Sequence, residues 1–161
     1  MAFKSGEGRE SSYLSKTYKI LNRALSLNAS ISLPKQTNYY SNGEINNEFG
    51  LIELRQDHYE KALTYFLKSK ANFEKANEFN DNSQEQTHFY YSQNILTVYS
   101  NIAGTYVRLR DWKYGHKNTN LYLNYWSSLN YQQRNYLIEI KDIDKNLIYY
   151  FRGRCQHGLG K

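Results

Sequence analysis

The sequence has one cysteine, one proline and one methionine among 161 residues, and each scarcity excludes a class of structure. A single thiol, Cys155, cannot form an internal disulfide, so disulfide-stapled secreted domains are excluded. A single proline, Pro34, leaves the rest of the chain free to form long helices. No apolar run approaches the roughly 20 residues of a membrane-spanning helix, so we expect no membrane span.

These absences also bear on the compartment. The N-terminal stretch MAFKSGEGRESS lacks the apolar segment of a secretory signal. Together with the lone thiol, this predicts an intracellular protein, with the cytoplasm as the favoured compartment. An organellar assembly, in a mitochondrion or a cilium, stays open as an alternative.

Charge is mildly basic, with a net charge of +6. The 21 lysines and arginines are interleaved with 15 acidic residues, and they form no run typical of a nucleic-acid-binding stripe. Nucleic acid is therefore not the favoured partner. Tyrosine is frequent, at 17 copies, and suits helix seams and partner surfaces because its ring packs while its hydroxyl stays hydrated.

Residues for metal or nucleophilic chemistry are sparse. The four histidines form no H-E-x-x-H or similarly spaced motif. Cys155 and His157 would supply two ligands where a structural zinc site needs four. We therefore predict no metal site, no cofactor and no enzymatic activity.

Apolar residues recur at helical rather than alternating spacing, which predicts an all-α chain. Residues 1–10 are predicted to be a flexible tail, and residues 11–161 a single helical domain with the linker NASISLPKQTN after the first helix. Six helices are predicted, over about 11–28, 39–55, 59–79, 84–109, 112–129 and 132–157.

Residues 49–66, FGLIELRQDHYEKALTYF, contain a pattern with a packing reason. Gly50 and Ala62 are small residues where two helices can approach closely, and Tyr59 and Phe66 flank that seam. The pattern resembles the tetratricopeptide repeat, a helix-turn-helix unit, in the form found in immunophilin and co-chaperone domains.

A second copy, SNIAGTYVRLRDWKYG, places Ala103, Trp112 and Gly115 at corresponding positions, and a third half-copy places Gly153 there. Successive copies are about fifty residues apart, longer than the usual repeat of about 34, so the helices should be long. The resemblance implies a right-handed superhelix of helical hairpins. Its repeats would span about residues 43–79, 96–130 and, incompletely, 146–161.

In this family the first helices of the repeats line a concave groove that binds peptides or helices of other proteins. By resemblance, we expect these residues to line the groove: Asn47, Leu51, Arg55, Asn101, Arg108, Tyr150 and Arg154. Arginines and a tyrosine could hold an acidic or amphipathic segment. The rival interpretation is that these arginines are hydrated helix surface.

Co-chaperone members hold a chaperone's C-terminal carboxylate with a clamp of two lysines, two asparagines and one arginine. At these positions the sequence has Asn47, Leu51, Asn101, Leu147 and Phe151, so only Asn101 matches. Chaperone-tail binding by this route is therefore not favoured.

The last predicted helix carries a broad apolar surface, which is expected either to pack on the preceding pair or to dock on a partner. The leading hypothesis is a non-catalytic adaptor or structural subunit of a hetero-oligomeric protein complex. One alternative is an immunophilin-like co-chaperone fragment that binds a chaperone C-terminal peptide. Another is an RNA-binding helical repeat.

Overall fold

A computed structural model describes residues 7–79, 85–139 and 145–161, and every regular element within these ranges is an α-helix. The helices are α1 Glu7–Ser30, α2 Lys35–Arg55, α3 Tyr59–Glu78, α4 Glu85–Arg108, α5 Trp112–Ser128, α6 Tyr131–Glu139 and α7 Lys145–Gly158. The predicted all-α class is confirmed, while the handedness of the superhelix stays a prediction.

The helices pack mainly on their sequence neighbours, as in stacked hairpins. α2 lies along α3 and α4 along α5, and the two pairs meet through α3 and α4. α7 packs against α5 and α4, and α1 lies on α2. α2, α4 and α7 therefore occupy successive, equivalent places in the stack.

The same three-residue turn follows α2 and α4. Its middle residue, Asp57 or Arg110, has a left-handed backbone with φ of 58° or 57°. The next N–H then donates to a carbonyl five residues earlier; these bonds are His58 to Glu53 at 3.0 Å and Asp111 to Tyr106 at 2.9 Å. Aligned by this turn, the segment LRQDHY corresponds to VRLRDW, so the two segments share one backbone geometry.

α7 ends in this turn as well. Gly160 has φ of 69°, and the N–H of Lys161 donates to the carbonyl of Gln156 at 2.9 Å. Aligning the three turns by their left-handed residue places Gly50, Ala103 and Gly153 at one equivalent position, seven residues before it. The three turns thus align α2, α4 and α7 in one register without reference to side-chain type, while the assignment of these helices to repeats stays a prediction.

One continuous core joins the two hairpins to α6 and α7. It buries large apolar side chains of five helices away from water, and this burial is the main favourable contribution to the packing of the helices. Its fully or nearly fully buried members include Phe66, Phe73, Leu96, Ile102, Tyr122, Trp126, Leu137, Ile148 and Phe151.

Two glycines let α2 and α3 approach closely. A Cβ added at Gly50 would lie 2.4 Å from the ring of Phe66, and one at Gly43 would lie 2.6 Å from that of Phe73. Carbon atoms in contact are normally about 3.5–4.0 Å apart, so only glycine fits at these two positions. Ser69, between the two phenylalanines, donates to the carbonyl of Gly43 at 2.7 Å and ties the seam further.

α7 is seated by three further glycine contacts. A Cβ at these glycines would approach the facing side chain to below 3 Å. The pairs are Gly104 with Phe151, Gly115 with Cys155 and Gly158 with Trp112. α7 therefore lies in close contact with α4 and α5 along most of its length.

α1 is tied to the first hairpin by a buried carboxylate. The hydroxyl of Tyr18 on α1 donates to Glu53 of α2, and His58 Nδ1 lies 2.8 Å from the other carboxylate oxygen. Burial works to raise the pKa of Glu53, but the hydrogen bonds to Tyr18 and His58 outweigh it and hold that pKa below its usual value. The ring of Tyr18 also packs on Phe49, with centroids 4.9 Å apart.

Some helix boundaries differ from the prediction. α1 begins at Glu7, within the predicted tail of residues 1–10. α2 begins at Lys35 directly after Pro34, because a proline is tolerated at a helix start and the linker is correspondingly short. The single helix predicted over 132–157 is described as α6 and α7, and residues 140–144 lie outside the described residues.

Candidate partner-binding surface

The predicted groove residues fall into two groups on the first helices of the stack. Asn47 and Asn101 join α2 to α4, because the Asn101 amide donates to the Asn47 side-chain oxygen at 3.0 Å. Leu51 is half-buried against the core, and Arg55 is exposed at the end of α2. The second group lies around α7 and forms a cavity.

That cavity, which we call the arginine pocket, lies between the end of α4, the turn before α5, and α7. Its volume is about 310 Å³. It is lined by Val107, Arg108, Arg110, Trp112, Tyr150, Phe151 and Arg154. Three of the predicted groove residues, Arg108, Tyr150 and Arg154, are thus brought together in one place.

The three arginines of the pocket carry uncompensated charge. Within the part of the chain that the structure describes, none of them lies within ion-pairing distance of a carboxylate. Arg108 Nη1 donates to the carbonyl of Gly104 at 3.2 Å, which fixes its side chain along α4. Asp111, adjacent to Arg110, accepts from the backbone N–H of Tyr114 and caps α5. The pocket is therefore a positively charged hollow with aromatic walls.

Arg110 was not among the predicted groove residues, because it lies in the turn rather than on a helix. The turn gives it a left-handed backbone, with φ of 57°, at the position that Asp57 holds after α2. The segments LRQDHY and VRLRDW, which share this turn, were the available signal, because the middle residue of the second turn lines the pocket.

Beside the pocket, α7 has a second, more open hollow, which we call the α7 hollow. It has a volume of about 420 Å³ and is lined by Tyr150, Gly153, Arg154 and His157. A Cβ added at Gly153 would meet no described atom within 4 Å. No described helix covers this side of α7, so the role of Gly153 as a repeat-packing residue stays a prediction.

The other predicted packing residues lie in or beside the helix seams. Ala62, Phe66 and Ala103 are fully buried. Gly115 and Trp112 contact α7 through Cys155 and Gly158. Tyr59 is half-buried at the start of α3, and its hydroxyl donates to Asp57 at 2.7 Å, so it supports the turn. The close contacts at Gly43, Gly104 and Gly158 were not predicted, because a lone glycine in a helix does not show which side chain faces it.

The described residues contain no group of three or more histidine, cysteine, aspartate or glutamate side chains that could hold a metal ion. Cys155 is completely buried, and burial raises the pKa of its thiol. Because the thiolate is the reactive form, this cysteine is placed for packing. None of the described helices combines the length and apolar character needed to cross a membrane.

Comparisons of the sequence with protein-family models, with curated proteins and with solved structures each find no match.

Proposed function

We propose that this chain is a non-catalytic protein-interaction adaptor, a subunit of a larger assembly, that binds an acidic segment of a partner at the arginine pocket. The observation that carries the proposal is the convergence of Arg108, Arg110 and Arg154 on one aromatic-walled cavity, where none of them forms an ion pair with a described carboxylate. The nearby carboxylate of Asp111 instead accepts from the backbone N–H of Tyr114. Stacked helical hairpins commonly present such surfaces to partner proteins.

The chemistry of the pocket suits a carboxylate. A guanidinium group presents a rigid fork of N–H donors that matches a carboxylate in two parallel hydrogen bonds. Trp112 and Tyr150 add apolar surface against which the stem of a glutamate or an adjacent apolar side chain can pack. The bound segment is therefore expected to combine acidic residues with at least one apolar residue.

The two alternatives have weaker support. A chaperone-tail clamp would need Asn101 to face the peptide, but its amide already donates to Asn47. An RNA-binding repeat would need basic residues along several hairpins, whereas the arginines described above gather at one pocket. RNA is accordingly treated as an outcome of the test.

The test is a titration of the chain with a labelled glutamate-rich peptide that contains one leucine, followed by fluorescence anisotropy. Intrinsic fluorescence provides a second readout, since Trp112 lines the pocket while Trp126 is buried in the core. Arg110→Glu should raise the Kd at least about tenfold, because one lost charge-assisted hydrogen bond costs about 1.5–3 kcal/mol.

Arg23→Glu is the matched control, because it makes the same charge change at an exposed position on α1. Equal weakening by both variants would mean that only net charge matters, and the proposal would then be wrong. Tighter binding of a uridine-rich RNA than of the acidic peptide would favour the RNA-binding alternative. A steep loss of affinity with added salt is expected for the peptide, because the contacts are ionic.

A further inference from the structure

The side of α7 that carries Gly153 is exposed although the equivalent positions of the two earlier first helices are covered. Gly50 on α2 lies under the ring of Phe66 from α3, and Ala103 on α4 is completely buried. Gly153 occupies the same position relative to the following turn and has no described atom within 4 Å of its added Cβ. By its position before the turn, Gly153 is thus equivalent to two residues that are covered by other side chains, but no described side chain covers Gly153.

The surroundings of Gly153 are shaped to receive a side chain. Residues three and four positions away share a helix face, so Tyr149 and Tyr150 border the glycine on one side, and Gln156 and His157 border it on the other. Tyr149 and Tyr150 are 55% and 57% exposed, so their rings offer apolar surface beside the glycine. Gly153 lines the α7 hollow together with Tyr150, Arg154 and His157.

The helix that lines this hollow carries charge of one sign. α7, over Lys145–Gly158, contains Arg152 and Arg154 and no acidic residue, and α5 likewise contains no acidic residue. The arginine pocket adjoins the hollow through the shared residues Tyr150 and Arg154. An occupant with acidic side chains beside its apolar anchor would complement this surface.

α1 of a second copy does not complement it. Among the described residues α1 carries an exposed apolar stripe, in which Tyr13, Ile20 and Leu27 recur every seven residues and are each at least 47% exposed. Between Tyr13 and Leu27 the same helix carries Lys16, Lys19 and Arg23 and no acidic residue. Docking α1 of one copy on α7 of another would therefore bring two basic helices together, which is electrostatically unfavourable.

We propose that the exposed face of α7 binds an acidic amphipathic helix of a partner protein, and that one bulky apolar side chain of that helix fills the α7 hollow over Gly153. The contact would reproduce, between two proteins, the one that Phe66 makes over Gly50 within the first hairpin. This inference rests on the proposed adaptor function and specifies the kind of segment bound and where it lies.

The probe is a synthetic peptide based on α3, because α3 is the helix that covers the glycines of α2. Its exposed lysines Lys61, Lys68 and Lys75 are replaced by glutamate, and it carries a fluorescent label. A second peptide adds Phe66→Ala. Binding to the full chain is measured by anisotropy at low salt, first to the unchanged protein and then to Gly153→Gln, whose added side chain would occupy the hollow.

Gly153→Gln should fold, since its side chain starts in open space, and an unchanged or higher Tm would verify this. Ala71→Gln, at an exposed position of α3, is the matched control. The acidic peptide is expected to bind the protein and the control equally and to bind Gly153→Gln at least about tenfold more weakly. The Phe66→Ala peptide should lose affinity for the unchanged protein by a similar factor.

Equal affinity for the unchanged protein and Gly153→Gln, or no binding of the acidic peptide at all, would overturn the inference. Three other results would also overturn it, provided that Gly153→Gln abolished them: self-association of the chain in sedimentation, binding to uridine-rich RNA, and binding to phosphatidylserine vesicles. Each would mean that the α7 hollow has a different occupant. If the glutamate-rich peptide still bound the chain and Arg110→Glu still weakened that binding, the proposed adaptor function would survive such a failure.

Discussion

The same substitution, glycine to alanine, should have opposite effects at Gly50 and Gly153. Both glycines lie inside a helix and hold the same position before the repeated turn. They differ in what faces them, since the ring of Phe66 lies against Gly50 and no described atom lies near Gly153. The difference in unfolding free energy between the two variants therefore separates the cost of the helix contact from the intrinsic preference of a helix for alanine.

The magnitudes follow from two opposing terms. Alanine is favoured over glycine in a helix interior by about 1 kcal/mol, and both variants gain this. At Gly50 the new Cβ would lie 2.4 Å from the Phe66 ring, which is fully buried and cannot move into solvent. Overpacking of this kind costs about 1–3 kcal/mol, so after the helix-propensity gain of about 1 kcal/mol Gly50→Ala should lose up to about 2 kcal/mol net. Gly153→Ala should gain about 1 kcal/mol.

The assay is urea and thermal unfolding followed by circular dichroism. For a chain of this size, 1 kcal/mol corresponds to about 2–4 °C in Tm. Gly50→Ala should lower the Tm and Gly153→Ala should raise it, with an unchanged urea m value in both. Shortening the facing side chain in the double variant Gly50→Ala, Phe66→Leu should recover part of the loss, because the two positions are coupled.

Two results would refute this reasoning. If Gly50→Ala were as stable as Gly153→Ala, the close approach of α2 and α3 would not exist in solution. If both variants were destabilised equally, Gly153 would be in contact with something that the described residues do not include.

Three further predictions concern other parts of the chain. The pKa of Glu53 is held below its ordinary value of 4.5, so its contribution to stability is complete above that value and is lost as the pH falls through the lowered pKa. The urea midpoint of the protein should therefore fall between pH 6 and pH 3, and the midpoint of Glu53→Gln should fall less steeply. Arg110→Gly should leave the Tm unchanged or raise it, since glycine adopts the left-handed backbone at less cost, and it should weaken binding of the acidic peptide. Asp57→Gly, the same change in the equivalent turn, should leave binding unchanged. Loss of binding in both variants would assign the effect to the turn rather than to the arginine side chain. Cys155 should react with a thiol reagent only on unfolding, and fast labelling of the native chain would contradict its burial against Gly115.

The sequence predicted the hairpins well because their determinants are local. α2 ends at Arg55, α3 begins at Tyr59 and α5 begins at Trp112, as the spacing of small and aromatic residues indicated. A turn without proline or glycine was still recognisable, since the flanking helices repeat the same pattern of apolar faces. Local patterns of this kind fix where a helix begins and ends.

Features that depend on the far side of a helix could not be predicted in this way. Periodicity shows that Gly153 belongs to a packing position but does not show whether another helix covers it. The link from Tyr18 on α1 to Glu53 on α2 joins residues distant in sequence, and no spacing rule connects them. Arg110 was missed for a related reason, because only the assembled turn brings it beside Arg108 and Arg154.

The order of packing has a consequence for how binding is transmitted through the molecule. Because α1 rests on α2 at one end and α7 lies on α5 and α4 at the other, the two ends share few direct contacts. In such an arrangement local openings occur independently in different segments. A partner held on α7 should slow amide hydrogen exchange in α4, α5 and α7 while leaving α1 unaffected, so that the N-terminal end stays free for separate regulation or a second attachment.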